Sequence, residues 1–298
     1  MICDFHVHFI PRSVGEHTSF FKGVWSDKNA LLKFLDDNAI GYAHIVYPST
    51  DAHSKLGWEK LSKIYNEEII ALSKKYPKRF ICSAILPLES PDIKGGVNRI
   101  QDLGFKSISL TSSFNGVFPI EQFKTIFSYL NESGIAVFIH PQIINPIGFE
   151  RVKDPLLMPV LEYSLDISMC LGLFMMEGIF SEFKNLKIVF SSLGGVAPFL
   201  KDRFDGVYNM LRNRNMVKDL GGMPSSILKK AYVDLSGIKS KKTIEVALEL
   251  FSEDHIIFAS DYPANQDVKS QLGALSDFDA NIREKILSKN FMKFFNIK

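Results

Sequence analysis

What the chain lacks narrows it first. Cysteine is scarce: Cys3, Cys82 and Cys170 are the only three in 298 residues, and no two form a CxxC pair. An odd count without that motif argues against a disulfide scaffold and leads us to expect a reduced, cytoplasmic protein. Neither sign of charge dominates, with 35 basic and 33 acidic side chains for a net +2. That balance gives no electrostatic case for nucleic acid or a membrane surface as partner, and a small-molecule substrate is expected instead. Long hydrophobic runs are missing too. The longest apolar stretch, Leu165–Phe180, is interrupted by Asp166 and Glu177, too short and polar to span a bilayer, and it reads as a buried helix. The opening MICDFHVHF has neither the basic start nor the apolar segment of a signal peptide. There is no GxGxxG after the first strand, no P-loop and no GxSxG, which argues against an open dinucleotide-binding sheet and a serine-nucleophile elbow. Without internal repeats or low-complexity linkers, residues 1–298 are expected to form one domain.

What is present is a rhythm. A short β-branched or aromatic run ends in polar, Gly or Pro residues, and a longer helical pattern follows. Eight runs fit: Ile2–Val7, Tyr42–Tyr47, Phe80–Leu86, Ser107–Leu110, Ala136–Ile139, Lys187–Ser191, Ala231–Leu235 and Ile256–Ala259. Between them lie patterns such as LSKIYNEEIIALSKKY at 61–76, with Pro77 as a stop. Others cover Phe123–Leu130 and Thr243–Phe251, and Ala280–Phe295 reads as a closing helix. Strand–helix alternation means parallel βα units. Eight of them, in a chain near the roughly 250 residues such a fold needs, predict a closed (β/α)8 TIM barrel. The long connections at about Phe9–Ala39 and Pro141–Asn185 then lie on the catalytic face, where they could form lids.

In such a barrel chemistry sits at the C-terminal ends of the strands. Strand one ends His6-Val7-His8, and residues two apart on a strand share a face, so both imidazoles can reach one point. Alone, the pair also reads as two polar residues leaving a strand. Strand five ends at His140, which equally suits a histidine hydrogen-bonded at a loop start. Strand eight runs into Asp261, which equally suits a helix N-cap. Taken together, the three strands place metal-capable side chains at one end of the barrel, a reasonable mononuclear site. His17 and His53 fall in loops on that side and are candidate substrate contacts. His44 is expected to pack in the barrel wall and His255 to be structural at the opposite end. Trp25, Trp58 and Phe9 suit either a pocket lining or the core. Gly194-Gly195 after strand six could bring backbone N–H groups to a ligand carboxylate or phosphate, or simply form a tight turn.

These motifs, HVH, IHP, KIVFSSLGG, ASDYP and a closing NFMKFF, resemble in order the amidohydrolase superfamily. More narrowly, they resemble the branch containing aminocarboxymuconate-semialdehyde decarboxylase, resorcylate-type decarboxylases and pyrone-dicarboxylate lactonase. The resemblance implies one divalent metal ion, commonly zinc, with ligands on His6, His8, His140 and Asp261, and a homodimer. One position departs. The branch carries a histidine in SHxGG after strand six, and here Ser192 stands in its place. A hydroxyl can orient water but cannot act as a base near neutral pH. The leading expectation is therefore metal-dependent hydrolysis of a small carboxylate-bearing ester, lactone or amide, with Asp261 handling the proton. The alternatives are nonoxidative decarboxylation of an unsaturated or aromatic acid, and a barrel impaired by the loss of that histidine. Arg203 matches a basic position of the branch and reads as structural.

Overall fold

In the computed structural model, which describes residues 1–114, 118–146 and 154–297, the eight expected strands form one sheet. They are β1 (Ile2–His8), β2 (Ile40–Val46), β3 (Phe80–Ala84), β4 (Ser107–Thr111), β5 (Ala136–His140), β6 (Ile188–Phe190), β7 (Tyr232–Asp234) and β8 (Ile256–Ile257). The order is sequential and every neighbouring pair is parallel. The sheet closes on itself through backbone hydrogen bonds from Phe5 to Phe258 (2.9 Å), Asp261 to His6 (2.9 Å) and His8 to Tyr262 (2.7 Å).

Period-two alternation sorts each strand. On β5, Ala136 and Phe138 point into the barrel while Val137 and Ile139 join the outer core. On β1 the pattern breaks. Cys3 and Phe5 belong to the inner cluster, yet Val7 belongs to the outer one. The β1–β2 register shifts between Asp4 and Val7, and such an irregularity re-aims the side chains beyond it. Asp4 holds the kink, its Oδ1 accepting the N–H of His6 (3.2 Å) and of Ser260 (2.9 Å). The shift lets one strand fill the barrel floor with Phe5 and still turn His6 and His8 inward at the mouth.

The floor is sealed by the C-terminal helix Asn290–Phe295. Phe291, Phe294 and Phe295 pack their rings 5.8, 5.1 and 5.4 Å from that of Phe5. Each such buried ring contributes about 1.5–3 kcal/mol. The expected single helix over Ala280–Phe295 is instead three pieces, with a π-helical turn at Lys285–Lys289. There the carbonyl of Ile286 accepts the N–H of Phe258 (2.9 Å), a bond that joins the turn to the residue just after β8 and ties the helix to the barrel.

Two further expectations change. The apolar stretch at 165–180 divides into Tyr163–Met176 and Ile179–Glu182 around a left-handed Gly178. Only one face is buried, by Ile167, Cys170, Leu171, Phe174 and Met175, while Leu165 and Met169 are exposed. Met158–Met176 is long and apolar enough to cross a membrane by length and composition, but its inner face is part of this core. His44 does not pack in the wall. Its ring turns into the barrel, where Nε2 meets the hydroxyls of Ser83 (2.9 Å) and Ser107 (2.8 Å). The connection at 9–39 carries the helix Lys28–Asp37. That at 141–185 carries Tyr163–Met176, and its residues 147–153 lie outside the described set.

Candidate metal centre

His6, His8 and His140 converge. Their ligand nitrogens lie within 4.8 Å of one another, with Nε2 of His6 and His8 only 3.0 Å apart. All three rings are buried. What fixes their direction is the other ring nitrogen. Nδ1 of His6 faces Oδ2 of Asp234 (3.0 Å), Nδ1 of His8 faces the carbonyl of Val46 (3.0 Å), and Nδ1 of His140 faces the carbonyl of Pro141 (2.8 Å). Each partner is an acceptor, so each Nδ1 carries the hydrogen. A neutral imidazole then has only a lone pair at Nε2. Three lone pairs aimed at one point repel unless a positive charge stands between them.

Asp261 supplies negative charge to the same place. Its Oδ1 is 3.2 Å from Nε2 of His8 and 3.5 Å from Nε2 of His6, and its side chain is 30% exposed. It does not cap a helix. The next helix begins at Val268 and is capped by Asp267. Asp261 sits instead at a positive φ of 68°, a conformation Asp and Asn tolerate better than most residues. Electrostatics follow the geometry. Burial works against a charge on His6, but Asp234 and Asp261 outweigh it and raise its pKa. Burial lowers His8, and it lowers His140 strongly with help from the other two imidazoles. The two carboxylates thus favour positive charge at His6. Three imidazole nitrogens and a carboxylate with one side open suit a divalent transition-metal ion.

Asp234 is the functional residue that sequence reasoning missed. It closes β7 as His140 closes β5, and a carboxylate at that strand end was the available signal. It is fully buried. Besides His6, it accepts the N–H of Ser192 (2.8 Å) and both the N–H (3.0 Å) and hydroxyl (2.7 Å) of Ser236. Burial pushes its pKa up, but His6 and these hydrogen bonds bring it below the ordinary carboxylate value.

Ser192 is therefore beside the site, joined to it through Asp234, and its hydroxyl pairs with that of Ser236 at 2.9 Å. Of the two readings open for the glycines after it, the geometry fits the tight turn. The N–H of Gly194 is spent on Ser191 O and that of Gly195 on Ser192 O, both at 2.9 Å, so neither is free for a ligand. A Cβ on Gly195 would stand 2.0 Å from the carbonyl of Ser164, and one on Gly194 2.7 Å from Leu171. Both glycines take positive φ, 64° and 69°, and let the helix Tyr163–Met176 press against the turn. His53 is occupied in its own loop, its Nδ1 on the carbonyl of Thr50 (2.9 Å) and its ring stacked on Trp58 (4.9 Å). His17 is half-buried beyond the short helix Arg12–Gly15, and the ring contacts that join the three site histidines do not include it. Trp25 packs on His8 at 5.6 Å. His255 is at the far end, on the carbonyl of Lys229, and Arg203 borders an apolar pocket between helices.

Known proteins are similar to this chain in sequence and in fold. The 2-amino-3-carboxymuconate-6-semialdehyde decarboxylase of Dictyostelium discoideum is 25% identical over 249 residues, 80% of this chain and 67% of that protein. The 5-carboxyvanillate decarboxylase of Sphingomonas paucimobilis superposes with a TM-score of 0.87 at 16% identity, covering 100% of this chain and 99% of that one. A 5-carboxyvanillate decarboxylase of Novosphingobium aromaticivorans, solved with manganese and 4-hydroxy-3-methoxy-5-nitrobenzoic acid, gives a TM-score of 0.80 at 21% identity, covering 99% and 95%. The amidohydrolase family profile matches residues 3–297, and the chain belongs to that family.

Proposed function

We propose that this protein is a cation-dependent carboxy-lyase that removes carbon dioxide nonoxidatively from a small aromatic or unsaturated acid. The observation that carries the reading is the cluster of three inward lone pairs on His6, His8 and His140 beside the Asp261 carboxylate. The relatives compared above, each named a decarboxylase, favour this reaction over the hydrolysis expected from the sequence. A bound divalent ion supplies positive charge that holds and polarises a substrate carboxylate. Imidazole suits zinc, and the Asp261 carboxylate also suits manganese.

The chain's own groups do the rest. Decarboxylation breaks the bond from the substrate carbon to its carboxylate, releases carbon dioxide and puts a proton on that carbon. Asp261 is the group placed to hold that proton, because its carboxyl reaches the cluster and is still 30% exposed. Solvent can restore the proton after turnover. His6, His8 and His140 are too tightly oriented by their Nδ1 partners to swing toward a substrate.

The test is release of carbon dioxide by manganese- or zinc-loaded protein from a panel of hydroxybenzoic and carboxymuconate-like acids, run beside ester, lactone and amide substrates. Carbon dioxide release supports the reading. Hydrolysis without it returns the protein to the first expectation from its sequence. Cation binding with neither activity identifies an impaired barrel.

A further inference from the structure

Hydrogen-bond direction around Asp234 can be worked out by counting. Its Oδ1 accepts two backbone N–H groups, from Ser192 at 2.8 Å and Ser236 at 3.0 Å. An oxygen that accepts two fixed donors does not also carry a proton, whatever the state of Oδ2. The Ser236 hydroxyl, 2.7 Å away, must therefore donate its hydrogen to Oδ1. A serine hydroxyl has one hydrogen and two lone pairs. With its hydrogen spent, Ser236 can only accept from its other neighbours. These are the N–H of Ser192 at 3.1 Å and the hydroxyl of Ser192 at 2.9 Å. Ser192 must then donate its own hydrogen to Ser236. The chain runs one way, from Ser192 to Ser236 to Asp234.

Ser192 is the end of that chain, half-buried where Asp234 and Ser236 are fully buried. It has no hydrogen left to give. The other oxygen of Asp234 receives Nδ1–H of His6 at 3.0 Å and so fixes which nitrogen of that ring faces the cluster. We propose that Asp234 is the positioning residue of the site: one oxygen sets the Nε2 lone pair of His6 toward the cluster, and the other, relayed by Ser236, leaves the Ser192 hydroxyl as a pure acceptor. Whatever meets Ser192 must bring a donor, either a water or a hydroxyl or amino group of a ligand. A carboxylate oxygen placed there is repelled. For its functional meaning the inference rests on the three imidazoles being the cation site. The hydrogen positions themselves do not depend on that reading or on any catalytic activity.

Neutron diffraction on deuterium-exchanged wild-type protein, grown metal-free above pH 8, reads the directions directly. The expected density puts deuterium on Nδ1 of His6 and on the Ser192–Ser236 line. Deuterium on Nε2 of His6, or a Ser192 deuteron turned away from Ser236, overturns the proposal. Manganese affinity by chelator competition gives the energetic arm. Asp234→Asn should weaken binding about 10- to 100-fold, the usual effect of losing the carboxylate behind a ligand histidine. Ser236→Ala keeps the His6 contact and should stay within about twofold. A purely structural Asp234 would lower the melting temperature of Asp234→Asn while leaving manganese affinity unchanged, and that result also overturns the proposal.

Discussion

The Nδ1–H of His8 is held by the backbone carbonyl of Val46, 3.0 Å away on the neighbouring strand. A parallel strand pair thereby fixes which nitrogen of His8 faces Nε2 of His6, itself only 3.0 Å distant. A bound cation gives these nitrogens a common partner and stabilises the folded state over the unfolded chain, which has no such site. Adding manganese or zinc should therefore raise the melting temperature. At a free concentration 100 times the dissociation constant the gain is about 2.7 kcal/mol, or several degrees for a chain of this size. His140→Ala should remove most of that rise. Differential scanning calorimetry with and without the ion checks both, and an unchanged transition would count against the cation site.

Asp261→Asn should cut turnover at least about 100-fold with little effect on folding. Asn adopts the same left-handed backbone, here at φ 68°, and leaves the backbone bond from Asp261 N–H to His6 O (2.9 Å) intact. It cannot carry and release the proton. The comparison is carbon dioxide release against a thermal melt of the same sample. Full activity in the variant would take Asp261 out of the mechanism.

How legible this was depended on range. His6 and His8 could be read from HVH because their relation is local and strands repeat every two residues. His140 and Asp261 could be read from where strands five and eight stop. The phase shift at Asp4 was not legible, since strict alternation from Phe5 would have turned both histidines outward; it needs the contact between Asp4 and Ser260, 256 residues apart. Asp234 offered a signal by closing β7, but its partners His6 and Ser192, which give it its role, come from β1 and the turn after β6. Gly194-Gly195 looked like an anion cradle because the residue types that build one also build a tight turn. Only the packing of Ser164 and Leu171 against them separates the two.

That packing is itself testable. Gly195→Ala must take a positive φ and bring its methyl against the carbonyl of Ser164. Either strain costs about 1–3 kcal/mol, and backbone has little room to give. A loss of about 3 kcal/mol or more in urea unfolding is expected. A neutral Gly195→Ala would show that the turn relaxes freely.

For the expected homodimer we propose a surface. Among the described residues, eleven of the fifteen exposed large hydrophobic side chains lie between Leu156 and Met223. They fall on and around the helices Tyr163–Met176 and Lys201–Arg212, which meet where Gly172 faces Phe204. They are candidates for one side of a homodimer interface, which typically buries about 800 Å² per partner. Ion pairs of both signs nearby, Arg212–Asp219 and Lys218–Glu177, suit a second copy of the chain better than an anionic lipid surface. Sedimentation should give a dimer, and Met169→Glu should shift it toward monomer. A monomeric wild type at micromolar concentration would refute this.

The last prediction concerns acid. Burial lowers the pKa of His44 from 6.5 to about 3, and the ring is held by Ser83, Ser107 and the carbonyl of Phe5. Between those two values the unfolded chain binds a proton that the folded chain refuses. Stability from this residue is therefore complete above about pH 6.5 and is lost as pH falls toward 3, up to about 4–5 kcal/mol at the limit. His8 and His140, also lowered by burial, act in the same direction, whereas His6 is raised and opposes them. His44→Gln cannot take up that proton. It should be less stable than wild type at pH 7.5, because the ring packs against Phe5 and Phe295 at 4.6 and 4.9 Å. Its stability should also fall less steeply between pH 6.5 and 4.5. Urea titrations at half-unit steps measure both slopes, and parallel slopes would mean that another group carries the acid limb.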